Sequence, residues 1–123
     1  IGAVLPTMEA QGSGQIINIG SIGALSVVPT AAVYCATKFA VRAISDGLRQ
    51  ESASIRVTCV NPGVVESELA STITHPETQA AMEVYRSIAL QPADIARAVR
   101  QVIEAPENVD TTEITIRPTA SAN

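Results

Sequence analysis

Aromatic side chains are scarce: Tyr34, Phe39 and Tyr85 are the only three in 123 residues, and tryptophan is absent. Positive charge is also short, with 8 Lys and Arg against 12 Asp and Glu for a formal net charge of −4, so there is no basic footprint for nucleic acid. The two cysteines, Cys35 and Cys59, form no CxxC pair, and His75 is the single histidine. That set argues against a zinc site or a disulfide framework, reads the cysteines as small buried hydrophobes, and fits a reducing cytoplasm. No window holds the ~18 uninterrupted apolar residues of a membrane span, and no charged segment with a cleavage-like site marks a signal peptide.

What is present is aliphatic. Hydrophobic residues make up 46% of the chain and no long charged run interrupts them, which is the composition of a folded domain. The length suits one modest domain and not two. Ile1 stands where a methionine would open a complete chain, and residues 1–9 read as the last turns of a helix. A truncated piece of a longer protein is the expectation.

After the turn signal Gln11-Gly12-Ser13-Gly14, residues 15–19 form a β-branched run bounded by glycine, the mark of a buried strand. A helical pattern covers residues 31–52. At about 100° per residue, Phe39, Ala43, Ala36, Gly47, Ala40, Val33, Ile44, Thr37, Leu48 and Val41 fill one arc of roughly 200°. One sheet needs only about half of that, so this helix is expected to touch the sheet and a second subunit, giving a homo-oligomer.

A second strand is predicted at residues 55–60, stopped by Asn61-Pro62-Gly63 because proline ends pairing. Residues 66–90 are mixed; a short helix opening at His75-Pro76 and a polar, Thr-rich lid are the readings there, with His75 in a surface turn. A helix begins at Pro92, with Asp94 in its first turn, and ends before Pro106. Residues 113–117 alternate with period two, as in a strand near a sheet edge. The order strand, helix, strand, helix, strand predicts an α/β fold with a parallel sheet of three strands and crossover helices.

Parallel sheets bind ligands beyond the carboxyl ends of their strands. Ser21 follows the first strand there and Asn61-Pro62-Gly63 follows the second. Between them Tyr34 and Lys38, four residues apart in YCATK, share one side of the long helix. A phenol loses its proton near pH ~10, too high for a base at neutrality, and a nearby ammonium favours the phenolate. Ser21 is placed to hydrogen-bond an oxygen on which charge builds. Such a set suits proton transfer during carbonyl reduction or alcohol oxidation, with a nicotinamide carrying the hydride. Taken singly, each residue has an ordinary role: Ser21 as a helix cap, Tyr34 as a boundary aromatic, Lys38 as a solvated charge.

The ordered set of a serine after a strand, a YxxxK helix and a strand ending in Pro-Gly resembles the short-chain dehydrogenase/reductase family. Ser21, Tyr34, Lys38 and VNPGVVES carry the resemblance, which spans essentially the whole chain. It implies the C-terminal half of a Rossmann-like, doubly wound domain, with residues 1–123 as the C-terminal portion. The glycine-rich turn, the NAD/NADP-selecting region and a relay asparagine would lie in the absent N-terminal half. It also implies NADP or NAD as cofactor and a small alcohol or carbonyl substrate. Tyr34 would then be the general acid/base, with Lys38 assisting it and binding the nicotinamide ribose, and Ser21 would position the substrate. Pro62, Gly63, Val64 and Val65 would line the nicotinamide, and Ser67, otherwise a helix N-cap, would contact the cofactor phosphate. The tail VDTTEITIRPT is similar to a bacterial subgroup acting on 3-hydroxy acids with NADP. The alternatives are a non-catalytic module that self-associates through the 31–52 helix, and a scaffold that has lost activity.

Overall fold

A computed structural model describes residues 1–67 and 86–121. Helix α1 (Leu5–Gln11) carries proline in its first turn and stops at Gly12, whose φ of 68° is left-handed. There Gly12 N donates to Glu9 O and Ser13 N to Met8 O, which satisfies carbonyls the helix end would otherwise leave unpaired. The helix thus extends past residue 9 before the predicted turn closes it.

Strand β1 (Gly14–Ile19) runs parallel to β2 (Ile55–Pro62), from Gly14 opposite Ile55 to Ile19 opposite Val60. Strand β3 (Glu113–Ile116) lies parallel on the other side of β2, from Cys59 opposite Glu113 to Pro62 opposite Ile116. The order β1-β2-β3 makes β2 central, and its near-continuous burial follows from being covered on both faces. β3 sits at the edge of this sheet, with exposed and half-buried residues alternating as its sequence predicts.

The expected stop of the second strand at Asn61 is corrected: β2 continues through Pro62. Cys59 N and Gly63 N both donate toward β3, to Thr112 O and Ile116 O. By the alternation of a parallel strand, Pro62 faces the β1 side, where β1 has already ended at Ile19. A missing N–H at that rung costs no ladder bond.

Helix α2 (Ala32–Glu51) crosses from β1 to β2 and buries Cys35, Ser45 and Leu48. Leu48 joins Ile16, Ile55 and Val57 in the core, with Leu5 and Met8 of α1 packed against them. Asn18 Nδ2 donates to Ser45 Oγ at 2.9 Å, and Ser45 Oγ returns its proton to Val41 O, so the polar pair under the helix is satisfied. The sheet takes only one margin of the predicted apolar arc. The rest faces outward, with Val33 81% and Ile44 55% exposed.

Helix α3 (Pro92–Ile103) opens with a capping box between Gln91 and Asp94 and buries Val102. It is joined to the sheet through Gln15 Nε2, which donates to Val102 O at 3.2 Å, and Arg56 Nη1, which donates to Ala105 O at 3.1 Å. Among the described residues no helix is long and apolar enough to cross a membrane. The lid and the His75-Pro76 helix start fall within 68–85, outside the described residues.

One side chain substitutes for backbone in the ladder. Val57 is 1% exposed and its N–H points to the β3 side before β3 begins, where Asp110 Oδ1 accepts it at 3.1 Å. Asp110→Ala, which leaves that buried donor unpaired, is expected to cost about 1–3 kcal/mol in urea unfolding, with Asp110→Asn, which keeps an acceptor, close to the parent. Equal stability of all three proteins would show that water replaces the carboxylate.

Candidate active site

Where β1 ends, Gly20 N donates to Val60 O at 2.7 Å and continues the parallel pairing by one rung. The chain then turns, and Ser21, only 9% exposed, caps the 3-10 turn Ile22–Ala24. Ser21 Oγ accepts Gly23 N at 3.1 Å, so the capping role weighed for this serine is realised. It does not consume the hydroxyl. That bond uses a lone pair of Oγ and leaves the O–H free to donate to an incoming oxygen.

Tyr34 lies in the first turn of α2 and is 44% exposed. Lys38, one turn on, holds Nζ 5.7 Å from the centre of the Tyr34 ring and donates to Ile19 O at 3.4 Å. The ammonium is thus anchored to the last residue of β1 while it stays beside the phenol. Helical spacing brings the two side chains together, and the strand end fixes the cation.

Gly23 joins the serine to this pair. A methyl group there would lie 3.2 Å from Tyr34 Cε1 and 3.5 Å from Ser21 Oγ, so ring and hydroxyl both come close to one point. Ser21, Tyr34 and Lys38 therefore share one edge of the molecule, at the carboxyl ends of β1 and β2.

The Pro62-Gly63 segment forms the next part of that edge. Gly63 N donates to Ile116 O at 2.7 Å, and a Cβ at Gly63 would press within 3.3 Å of Pro118 Cδ. Val64 and Val65 are half-buried and pair with Leu90: Leu90 N donates to Val64 O and Glu66 N to Leu90 O. Ser67 is exposed, its carbonyl accepts Arg86 Nη2 at 3.3 Å, and no hydrogen bond among the described residues joins it to Ser21, Tyr34 or Lys38. The residues it would cap as a helix N-terminus lie outside the described residues.

Asn61, read from sequence only as part of a turn, is fully buried in β2. Its Oδ1 accepts the Ser21 backbone N–H at 3.2 Å and the Cys59 thiol at 3.4 Å. The available signal was a carboxamide ending the apolar run of a central strand, where a polar side chain needs a partner. Cys35 and Cys59 are both buried and free, as small hydrophobes in a core are.

The crowding at Gly23 is directly testable. Gly23→Ala is expected to push the Tyr34 ring outward by a few tenths of an ångström, read as a shifted ring signal in 13C-tyrosine NMR on a Tyr85→Phe background. An unchanged signal would show that the ring has room to spare.

A family model described as short chain dehydrogenase matches residues 1–78. An uncharacterised oxidoreductase from Staphylococcus saprophyticus is 44% identical across 99% of this chain and 51% of its own length. A Listeria monocytogenes relative, also an uncharacterised oxidoreductase, is 42% identical across 98% of this chain and 50% of its own. Among solved structures, the closed form of serine dehydrogenase complexed with NADP+ is 34% identical, with a TM-score of 0.83 over 94% of this chain and 48% of that one. The chain spans about half the length of the curated relatives it matches. The three parallel strands and their helices match the Rossmann-like fold of these neighbours. With the family model covering more than half of its residues, the chain belongs to the short-chain dehydrogenase family.

Proposed function

We propose that this chain carries the proton-transfer machinery of an NAD(P)-dependent oxidoreductase that interconverts a small alcohol and its carbonyl. The observation that carries this reading is the convergence of Tyr34, Lys38 and Ser21 on one edge beside the ends of two parallel strands. Residues 1–123 are then the C-terminal portion of one dinucleotide-binding domain, and the remaining half supplies the glycine-rich turn. The half-length match to relatives supports this, as does β1, an edge strand here whose Ile19 is 49% exposed.

The donor set fits a nicotinamide nucleotide. Lys38 Nζ has three protons and spends one on Ile19 O, which leaves two for ribose hydroxyls. Pro62, Gly63, Val64 and Val65 offer backbone at the adjoining strand end to line the nicotinamide, and Ser67 is the candidate for a phosphate contact. When bound, the nicotinamide supplies or accepts the hydride, which none of these side chains can do.

In the reducing direction Tyr34 gives its phenolic proton to the substrate oxygen as negative charge builds there, and in the oxidising direction it takes the proton back. The Lys38 ammonium offsets the charge left on the phenol oxygen. Ser21 donates its free O–H to the same substrate oxygen and fixes its distance from Tyr34. The 34% identical neighbour is a serine dehydrogenase complexed with NADP+, and serine carries a hydroxyl on the carbon β to its carboxylate, which supports a 3-hydroxy acid substrate and NADP for this chain. The proposed setting is the cytoplasm.

Tyr34→Phe in the full-length polypeptide is expected to lower NADP+-dependent oxidation of L-serine by about 10²–10⁴-fold while NADPH binding by fluorescence titration persists. Near-parent turnover would remove Tyr34 from the acid/base role.

The outward face of α2 supports a second reading, an association surface for a homo-oligomer. Val33 and Ile44 are more exposed than any other large hydrophobic on that helix. Val33→Asp with Ile44→Asp is expected to shift the full-length protein to a smaller species in sedimentation velocity. An unchanged sedimentation coefficient would clear this face of that role.

A further inference from the structure

We infer that Asn61 is a positioning residue, whose carboxamide holds the Ser21 turn and so keeps the serine hydroxyl near the Tyr34 ring. The inference rests on the reading of Ser21 as the group that orients the substrate, and it deepens that reading by one layer of structure.

Asn61 is 0% exposed, at the penultimate position of β2. Burying a carboxamide is costly unless its atoms find partners. Its oxygen has two, the backbone N–H of Ser21 at 3.2 Å and the thiol of Cys59 at 3.4 Å, while its Nδ2 has none among the described residues. Both partners of the oxygen are donors, so the orientation of the amide group is set, with oxygen toward the turn. Burial pushes the Cys59 thiol up, which keeps its proton on sulfur and available to the carboxamide.

The turn is shaped to receive this oxygen. A Cβ on Gly20 would stand 2.3 Å from Asn61 Oδ1 and 3.1 Å from Cys59 Sγ, an overlap no side chain could survive without displacing the carboxamide. Glycine at position 20 therefore lets the backbone close down onto Asn61. Three contacts then clamp the turn in sequence: Gly20 N on Val60 O, Ser21 N on Asn61 Oδ1, and Gly23 N on Ser21 Oγ. The last two contacts use side-chain acceptors, and the middle one can be removed by substitution without touching the serine itself. Without it Ser21 keeps its hydroxyl but loses the bond that fixes its Cα, and a small misplacement at a reacting group is expensive in rate.

The test uses the full-length polypeptide and two readouts. In Asn61→Leu, which preserves volume and removes the acceptor, the Ser21 amide is expected to exchange with deuterium at least about tenfold faster while the Ile16 and Asn18 amides keep their protection. Asn61→Asp, which retains an accepting oxygen, should preserve Ser21 protection. Gly20→Ala should expose the same amide from the opposite side of the contact. With L-serine and NADP+ as probes, Asn61→Leu should lower kcat at least about tenfold with an unchanged KM for NADP+, and Asn61→Asp should recover most of the loss. Parent-like Ser21 exchange in Asn61→Leu overturns the proposal, as does faster exchange with parent-like kcat. Failure of the parent reading looks different: Ser21→Ala would then turn over normally while the exchange pattern in the Asn61 variants still held.

Discussion

The parallel register between β1 and β2 is the constraint on which the site depends. Ile19 stands opposite Val60, so the two strands run out of pairing within two rungs of each other. The chain leaving β1 becomes Gly20-Ser21, and the end of β2 beside it is Asn61-Pro62-Gly63. Because side chains alternate along a strand, a slip of one residue would turn Asn61 to the other face of the sheet and take its oxygen away from Ser21. The same register sets Ile19 O as the anchor for Lys38. The Ser21–Asn61 and Lys38–Ile19 contacts therefore follow from one ladder, whose own stability comes from the core of Ile16, Leu48, Ile55 and Val57.

Much of this was legible in the sequence. Strands β1 and β3 and the helices α2 and α3 follow from periodicity and from punctuation by glycine and proline, and the parallel arrangement follows from helices standing between strands. The grouping of Ser21, Tyr34 and Lys38 was readable because each stands at a fixed offset from an element end. The end of β2 was not readable. Proline stops a strand only when its nitrogen faces a neighbour, and that depends on where β1 terminates, a property of the pairing rather than of either segment.

Two further features were hidden for different reasons. The apolar arc of α2 gave the amount of surface to be covered but not which part the sheet would take. The sheet meets the line of Cys35, Ser45 and Leu48, of which only Leu48 belongs to that arc, and leaves Val33 and Ile44 outside. Asn61 was hidden because asparagine before Pro-Gly is an ordinary turn signal. Its placement under Ser21 is a contact between residues forty positions apart, and no local pattern encodes it.

The proline that closes β2 has an effect on the space beside it. A strand edge with a free N–H invites the neighbouring chain to keep zipping alongside it, and a ring nitrogen offers nothing to zip to. Gly20 N makes the last backbone bond to β2, on Val60 O, and at the next rung Pro62 has no N–H to give. A ring nitrogen thus limits how far the β1–β2 ladder can run toward the Ser21 turn.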